Sequence, residues 1–405
     1  MLILKMAFRN ILRQRRRTIL TGLSMMIGFV LAVIFIGWSD GAYNNIIDTF
    51  TRNRLGHIQI HEKTYLDRPS LYKTIDEASN IDKTLDNTKS IQSWSHRLYS
   101  AGLASVGEKS AGVQIIGIDP LKETKTTQFN TKIIEGRNFS PLPSKEVIIG
   151  KGLAEILKAK VDDEIVIISQ AADGSIANDL YKIIGLSSSG DDISDRVSFY
   201  LHIRDAQELL VLEGRIHEIA ITVKKLGDVT KINSLLTEKI KVPELSVATW
   251  QVFAKAFYDA MKADQAGMWW MLIIIVIIVA VGVLNTVLMS VLERRREYGV
   301  LKAVGTKPSH IIRLVLLEVI ILAIFCLIIG TGLGLAANSF LSTHGISYGQ
   351  AFTYGGMKFE TMYAEVNVRS FTIPAVTVFI SAILVSLFPA IKAAKTEPAK
   401  TMRIH

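Results

Sequence analysis

Hydrophobic residues in this chain collect in long blocks, and between the first two blocks lies a wide mosaic of polar and apolar positions. Trp269–Leu292 carries no charge, and at 1.5 Å per residue it is long enough to cross a hydrocarbon core of about 30 Å. Thr18–Ser39 is also uncharged; Ile311–Ala337 carries Arg313 and Glu318 near its start; Ser370–Ile391 has Pro374 and Pro389 close to its ends. Four membrane spans are therefore expected, at 18–39, 267–292, 311–337 and 370–391. A cleaved secretory signal is the competing reading of the first block. Its apolar core would end after roughly 7–15 residues at a small-residue cleavage site, and Gly37-Trp38-Ser39-Asp40 makes a poor one. The block reads as a retained anchor.

Residues 40–265 contain no spanning run. Gly56–His61 alternates apolar and polar side chains, the period of a half-buried strand. Further strands are predicted at Val113–Ile118, Val147–Ile149, Glu164–Ile168, Val197–Leu201 and Glu218–Val223. Helices are predicted at Ile75–Leu85, Ala154–Lys158, Arg204–Leu212 and Val229–Ile240, the last stopped by Pro243. This mixture makes an α+β domain. Thr249–Gln265 carries Phe253, Phe257 and Met261 at four-residue spacing, which predicts a helix running unbroken into the second span. Gly41–Arg54, with Tyr43, Ile46, Ile47 and Phe50 on one side, predicts an outward extension of the first. Trp269-Trp270 suits the outer membrane interface, and Gly330, Gly332 and Gly334 allow close helix contact. Residues 338–369, rich in glycine and tyrosine, read as an external loop. The expected fold is an α-helical membrane protein with four transmembrane helices plus a large extracytoplasmic α+β domain between spans 1 and 2.

Charge fixes the orientation. Lys and Arg number 46 against 37 Asp and Glu, a basic balance that would ordinarily raise the question of nucleic acid. The excess sits in Lys5–Arg17, Arg294–Arg313 and Lys392–Arg403; with those segments and the flanking Glu293 and Glu318 set aside, 30 basic residues face 33 acidic ones. That is a positive-inside signal, which puts both ends in the cytoplasm and leaves no nucleic-acid patch. Leu4, Ala7, Phe8, Ile11 and Leu12 interleave with the basic residues of 1–17, predicting an amphipathic helix on the inner leaflet. The single cysteine, Cys326, forms no intramolecular disulfide and reads as a packing residue.

Candidate catalytic chemistry is sparse. Gly150-Lys151 lacks the glycine spacing and the hydroxyl of a phosphate loop, so no ATP hydrolysis by that route is expected. His57 and His61 would share one face of a helix, but on a strand their side chains lie about 13 Å apart, and no metal is expected. His96, His202 and His217 have no acid or nucleophile at telling spacing. Glu318 is read as a salt-bridge partner of Arg313 in preference to a proton relay, and Asn285 as an interhelical hydrogen-bond donor.

Glu297-Tyr-Gly-Val-Leu-Lys-Ala-Val-Gly305, at the charged end of the second span, resembles the coupling-helix motif E-I-G-[IV]-L-[KR]-A-[LV]-G of the FtsX-like permease superfamily. That superfamily includes the lipoprotein-releasing LolCE permeases, the MacB efflux pumps and FtsX itself. Tyr298 stands where isoleucine is usual. Glu397-Pro-Ala-Lys-Thr-Met-Arg403 resembles the family ending P-x-x-x-[LM]-R. The resemblance implies a permease subunit of an ATP-driven ABC transporter in a bacterial inner membrane, with the large domain in the periplasm. That domain would be a split subdomain, 56–95 with 216–249, carrying an insert at 96–215. Residues 293–310 would form the coupling element between spans. There Glu297, Tyr298, Gly299, Val300, Leu301, Lys302, Ala303, Val304 and Gly305 would dock on a cytoplasmic ABC ATPase dimer, Val300, Leu301 and Val304 filling a groove and Lys302 pointing at acidic partner surface.

The ATPase would bind ATP and Mg; this chain, itself no enzyme and without a cofactor, would pair with a second permease chain, identical or paralogous. The mechanism implied is mechanotransmission. In its LolCE-like version, acylated lipoproteins leave the membrane for a periplasmic carrier through a seam near Trp38, Tyr43, Phe253, Phe257 and Trp269. The alternatives are MacB-like efflux of a peptide or small molecule through an adaptor, and FtsX-like signalling to a cell-wall hydrolase.

Overall fold

The computed structural model describes residues 2–13, 15–76, 78–354 and 357–397, and the chain divides into two compact units. The helical unit comprises Met1–Tyr43, Lys262–Ser347 and Thr361–His405; the sheet unit comprises Asn44–Met261 and Tyr348–Glu360. The tail motif Glu397–Arg403 lies, Glu397 apart, outside the described residues.

Four helices in the described residues are long and apolar enough to span a membrane: Arg15–Phe50, continued by a π turn at Thr51–Leu55, then Lys255–Glu293, Pro308–His344 and Val368–Ala394. Within the helical unit their inward faces repeat every four residues. Met25, Phe29 and Val33 of the first meet Val279, Val283, Val287 and Val291 of the second, Ile311, Val315, Val319 and Ala323 of the third, and Val378 and Ala382 of the fourth. The outward faces are larger and equally apolar, with Ile274, Ile277, Ile278 and Val281 on the second helix all exposed. A bundle as greasy outside as inside is built for lipid. Gly330 and Gly334 receive the side chains of Phe29 and Val33, whereas Gly332 faces open space. Two of the three glycines thus bring the first and third helices together. Asn338 donates to the Val33 carbonyl at 3.2 Å inside the same contact.

The sheet unit is built on β1 (Ile58–Glu62), β2 (Ile91–Val106), β3 (Lys109–Ile118), β4 (Ile133–Gly136), β5 (Glu146–Gly150), β6 (Glu164–Gln170), β7 (Ile176–Ser187), β8 (Ser198–His202), β9 (Glu218–Val223) and β10 (Leu245–Thr249). They form one ten-stranded sheet in the order β10-β1-β9-β2-β3-β8-β5-β7-β4, with β6 pairing β2 and β7. Most pairs are antiparallel, but β3–β8 and β5–β7 run parallel. Alternation sorts the core: Val147 and Ile149 enter the larger cluster while Ile148 enters a second one with Ile118, Phe129 and Ile184. The boundary expected at 95/96 between split subdomain and insert falls inside β2, which runs on without interruption and pairs β9 at one end and β6 at the other.

Three details differ from the expectations. The helix before the second span is broken. Trp250–Phe253 forms one turn, Ala254 leaves the helical region at φ −108°, ψ 42°, and the long helix starts at Lys255. Trp250, buried, meets Phe257 and Tyr258 edge-on at 6.2 and 5.5 Å, and this packing holds the short turn out of line with the long helix. The glycine- and tyrosine-rich loop contains β11 (Ile346–Tyr354) paired to β12 (Met357–Met362); most of that hairpin belongs to the sheet unit, where Tyr354 lies edge-on to Phe257 at 6.0 Å. The amphipathic helix is present at Leu2–Arg13, but its apolar side is divided. Ala7 is buried, while Leu4, Phe8 and Leu12 stand exposed in a row beside Lys5, Arg9 and Arg13.

Candidate functional site

The second long helix ends at Glu293, and a short helix, Arg295–Ala303, begins after one residue. Arg294 occupies the joint at φ −92°, ψ 11°. Its backbone ladder stays closed, Arg294 N donating to Ser290 O at 3.2 Å and Tyr298 N to Arg294 O at 3.1 Å, so the chain bends without leaving polar groups unpaired. The bend turns the Arg294 side chain inward. Its Nη1 donates to both oxygens of Glu318 at 3.0 Å, its Nε to Glu297 at 3.0 Å, and its guanidinium lies 5.2 Å from the Tyr298 ring. Burial opposes the Arg294 charge, but Glu318 beside it holds the group protonated above its ordinary value. Asn10 of the first short helix donates to Glu318 at 2.7 Å, Arg13 pairs with Glu297 at 3.6 Å, and Arg17 pairs with Glu293. One guanidinium therefore joins the second span, the short helix and the third span, and a carboxylate it holds is shared with the chain start.

The partner expected for Glu318, Arg313, is exposed instead. Five residues along a helix rotate about 140°, so the two side chains leave on different faces, and Arg294 supplies the cation. Lys302 also departs from expectation. Its ammonium donates to the carbonyls of Ala394 and Thr396 at 3.0 and 2.9 Å. It caps the open end of the fourth long helix, where unpaired carbonyls and the negative end of the helix dipole favour a cation. It does not point outward.

The short helix stops by a backbone device. Gly305 has φ +97°, its N–H reaches Lys302 O at 2.9 Å, and Thr306 N reaches Leu301 O at 3.0 Å. This crossed pair of bonds needs a left-handed residue, which glycine supplies without strain. Pro308 then opens the third span. Tyr298 is buried at 1% exposure and Gly299 is buried with it, while Leu301 packs partly against the bundle core. Arg296, Glu297, Ala303, Gly305 and two valines remain exposed, Val300 at 48% and Val304 at 82%. The motif thus has an anchored side, Tyr298, Gly299, Leu301 and Lys302, and an open side whose centre is apolar and whose edges are charged.

Residues 269–398 match the family model of the FtsX-like permease C-terminal region, and residues 18–239, more than half of the chain, match that of the MacB-like periplasmic core domain. The chain is an ABC transporter permease of the MacB/FtsX-like family. An uncharacterised ABC transporter permease of Methanocaldococcus jannaschii is 25% identical to it, over 99% of this permease and 97% of the relative. The lipoprotein-releasing system transmembrane protein LolC of Neisseria meningitidis is 20% identical over 80% of this permease and 81% of its own length. The permease spans about half, 52%, of a macrolide export ATP-binding/permease protein MacB of Aeromonas hydrophila, at 22% identity. The solved periplasmic region of MacB from Actinobacillus actinomycetemcomitans aligns with 50% of the permease and 93% of that chain at 16% identity and a TM-score of 0.38.

The aromatic seam is only partly assembled. In the helical unit, Tyr43 and Trp269 line one cleft with Phe35, Asp40, Gln265 and Arg369. Arg369 pairs with Asp40 at 3.1 Å and lies 5.9 Å from the Trp269 ring, so the cleft has a charged rim and an aromatic wall. Trp38 is half-buried and outside that lining. Phe253 and Phe257 fall in the sheet unit, where Phe257 stacks on Phe50 at 3.9 Å. His57 and His61 also serve the sheet unit: His57 Nδ1 accepts from Val223 N at 3.0 Å, and His61 lies 3.4 Å from Glu218. Asn285 is exposed on the second span, so any partner for its amide comes from outside this bundle. Sequence reasoning missed Arg294 and Asn10. Arg294 had only a partial signal, being the first of three consecutive arginines at the junction of an uncharged helix and the motif; Asn10 had none.

Proposed function

We propose that this permease is the membrane subunit of a mechanotransmission complex that extracts lipoproteins from a bacterial inner membrane. The observation that carries the docking part is the two-sided motif helix. Its anchored side ties Arg294 and Lys302 to the second, third and fourth spans, and its open side offers Val300, Ala303 and Val304 ringed by Arg296 and Glu297. An apolar centre with a charged rim is the anatomy of a protein interface. On this reading the occupant is one subunit of a cytoplasmic ATPase dimer that binds ATP and Mg, and a movement of the short helix is passed to all three spans through two side chains. Both chain ends are cytoplasmic, the sheet unit is periplasmic, and a second permease chain, identical or paralogous, completes the complex. Exposed Asn285 would then find its partner on that chain, since an amide facing hydrocarbon is costly.

The extraction part rests on the LolC-like layout, which this chain matches over most of that relative's length, and on the cleft at Tyr43 and Trp269, an aromatic wall suited to acyl chains. MacB-like efflux through an adaptor is the second reading, favoured by the match of residues 18–239 to the MacB-like core domain. Val304→Asp puts a charge at the centre of the open face without touching the bundle. In mild detergent the wild-type protein is expected to co-purify with an ATPase and triacylated lipoprotein, and Val304→Asp to lose the ATPase at least tenfold while still inserting in the membrane. Retention of the ATPase by that variant would remove the open face from the docking site. An adaptor in place of lipoprotein would select efflux.

A further inference from the structure

The sheet unit holds a cavity of about 170 Å³ that the transport reading does not use, with Arg54, Arg97, Glu123, Lys132, Ser194 and Tyr200 among its walls. Its size admits a group of a few heavy atoms, and its walls are polar enough to hold one wet or bound. The cations there are unequally answered. Arg97 is closed by two carboxylates, Glu123 at 2.6 Å and Glu218 at 2.9 Å. Arg54 gives one nitrogen to Asp191 at 2.6 Å. Asp195 is turned away onto the neighbouring loop, where it accepts from Ser188 Oγ at 3.0 Å and from Ser189 N at 2.9 Å. Lys132 has no carboxylate partner among the described residues. Its ammonium donates to the carbonyl of Asn53, a residue of the π turn, and lies 5.9 Å from the Phe129 ring.

A half-buried ammonium with one neutral acceptor is an incomplete arrangement. We propose that the cavity binds a small soluble oxyanion, a phosphate or a carboxylate, held by Lys132 and by the remaining N–H groups of Arg54. Glu123 shares a wall with Lys132, but both its oxygens are engaged by Arg97 and one also by Thr127 at 2.7 Å. The wall serines already donate to the protein, Ser194 to Asp191, Ser198 to the Ser194 carbonyl and Ser189 to Asp195, each at 2.7 Å, so the donors left for an anion are those of Lys132 and Arg54. The same conditions set a pH limit. Burial pushes Lys132 down to about 8, Glu123 and Asp195 opposing and Arg97 and Arg54 reinforcing. The cation is present at neutral pH and lost above it.

The test uses the full-length protein in uncharged detergent at pH 7, with phosphate or acetate replacing chloride at constant ionic strength. The thermal midpoint is read for wild type, Lys132→Met and Arg54→Gln. General salting effects act equally on all three, so the site shows as a saturable rise in wild type only. For at least one of the two anions we expect that rise, its loss in Lys132→Met, a several-fold weaker apparent affinity in Arg54→Gln, and at least tenfold weakening in wild type at pH 9. The same response in wild type and Lys132→Met, or no saturable rise with either anion, overturns the proposal. Should Lys132→Met fail to fold, an unchanged response in Arg54→Gln overturns it instead.

Discussion

Each unit of this permease contains an arginine set between two glutamates, and the two clusters are built for opposite purposes. In the sheet unit Arg97, Glu123 and Glu218 are all buried, and Tyr99 and His61 complete the polar shell. Their ladder partners are fixed by β2 and β9, whose register places Arg97 opposite Glu218. In the helical unit Arg294 is as buried as Arg97, but of its two carboxylates Glu318 is largely covered and Glu297 is about half exposed. The first cluster is sealed electrostatically, every carboxylate oxygen having a partner within it even where Arg97 and Glu123 line the cavity; the second is open on the side where the motif helix meets its surroundings. A sealed ion cluster resists rearrangement because any intermediate leaves a charge unpaired in low dielectric. A cluster with one wet member can exchange that partner for water at little cost. The same three residue types thus make a rivet in one place and a hinge pin in the other.

The comparison breaks most visibly at Arg97. Arg97→Met leaves two buried carboxylates without a cation, and a loss of about 3–5 kcal/mol in unfolding free energy is expected, read as a lowered denaturation midpoint. Acid gives the matching sign. Burial raises the Glu123 pKa, but Arg97 more than offsets it and holds the carboxyl below the usual range. Its contribution is therefore fully present above the unfolded value of about 4.3 and is lost as pH falls below it. In Arg97→Met that acid loss should flatten. The next effect is smaller in stability and larger in coupling. Arg294→Met removes hydrogen bonds to two carboxylates at a cost of about 1.5–3 kcal/mol, and partner-dependent ATPase stimulation is expected to fall at least tenfold; Arg294→Lys, which cannot hold both glutamates, should recover stability before it recovers stimulation. The smallest is Lys302→Met, which uncaps the fourth long helix for about 0.3–1 kcal/mol and should speed proteolysis beyond Ala394 without affecting the sheet unit. Equal effects of Arg97→Met and Arg294→Met on both readouts would erase the distinction between rivet and hinge.

Legibility in the sequence tracks the range of the forces involved. The four spans are readable because length and lack of charge are properties of contiguous residues, and β9 is placed residue for residue at Glu218–Val223. β2 is not visible in the sequence pattern. Its two faces carry polar side chains, Arg97 buried on one and His96 partly covered on the other, and its burial does not alternate because both faces are covered around Trp94–Leu98. The motif at 297–305 stands out by resemblance, yet the direction of Lys302 does not, since the carbonyls it caps lie 92 and 94 residues further on. The helix break at Ala254 is equally hidden, because it depends on where the indole of Trp250 finds room and not on any local breaker.

The π turn at Thr51–Leu55 has a mechanical meaning of its own. Gly56 N reaches back five residues to Thr51 O at 2.6 Å, so this stretch holds one more residue than an α turn would need. Such a surplus residue is slack in an otherwise taut rod. Drawing it into α geometry advances the chain by about 1.5 Å and twists the segment beyond it by about 100°, at the cost of re-pairing a few backbone bonds and not of melting the helix. Axial force applied to this helix is thereby convertible into rotation, the way a screw thread turns a push into a twist.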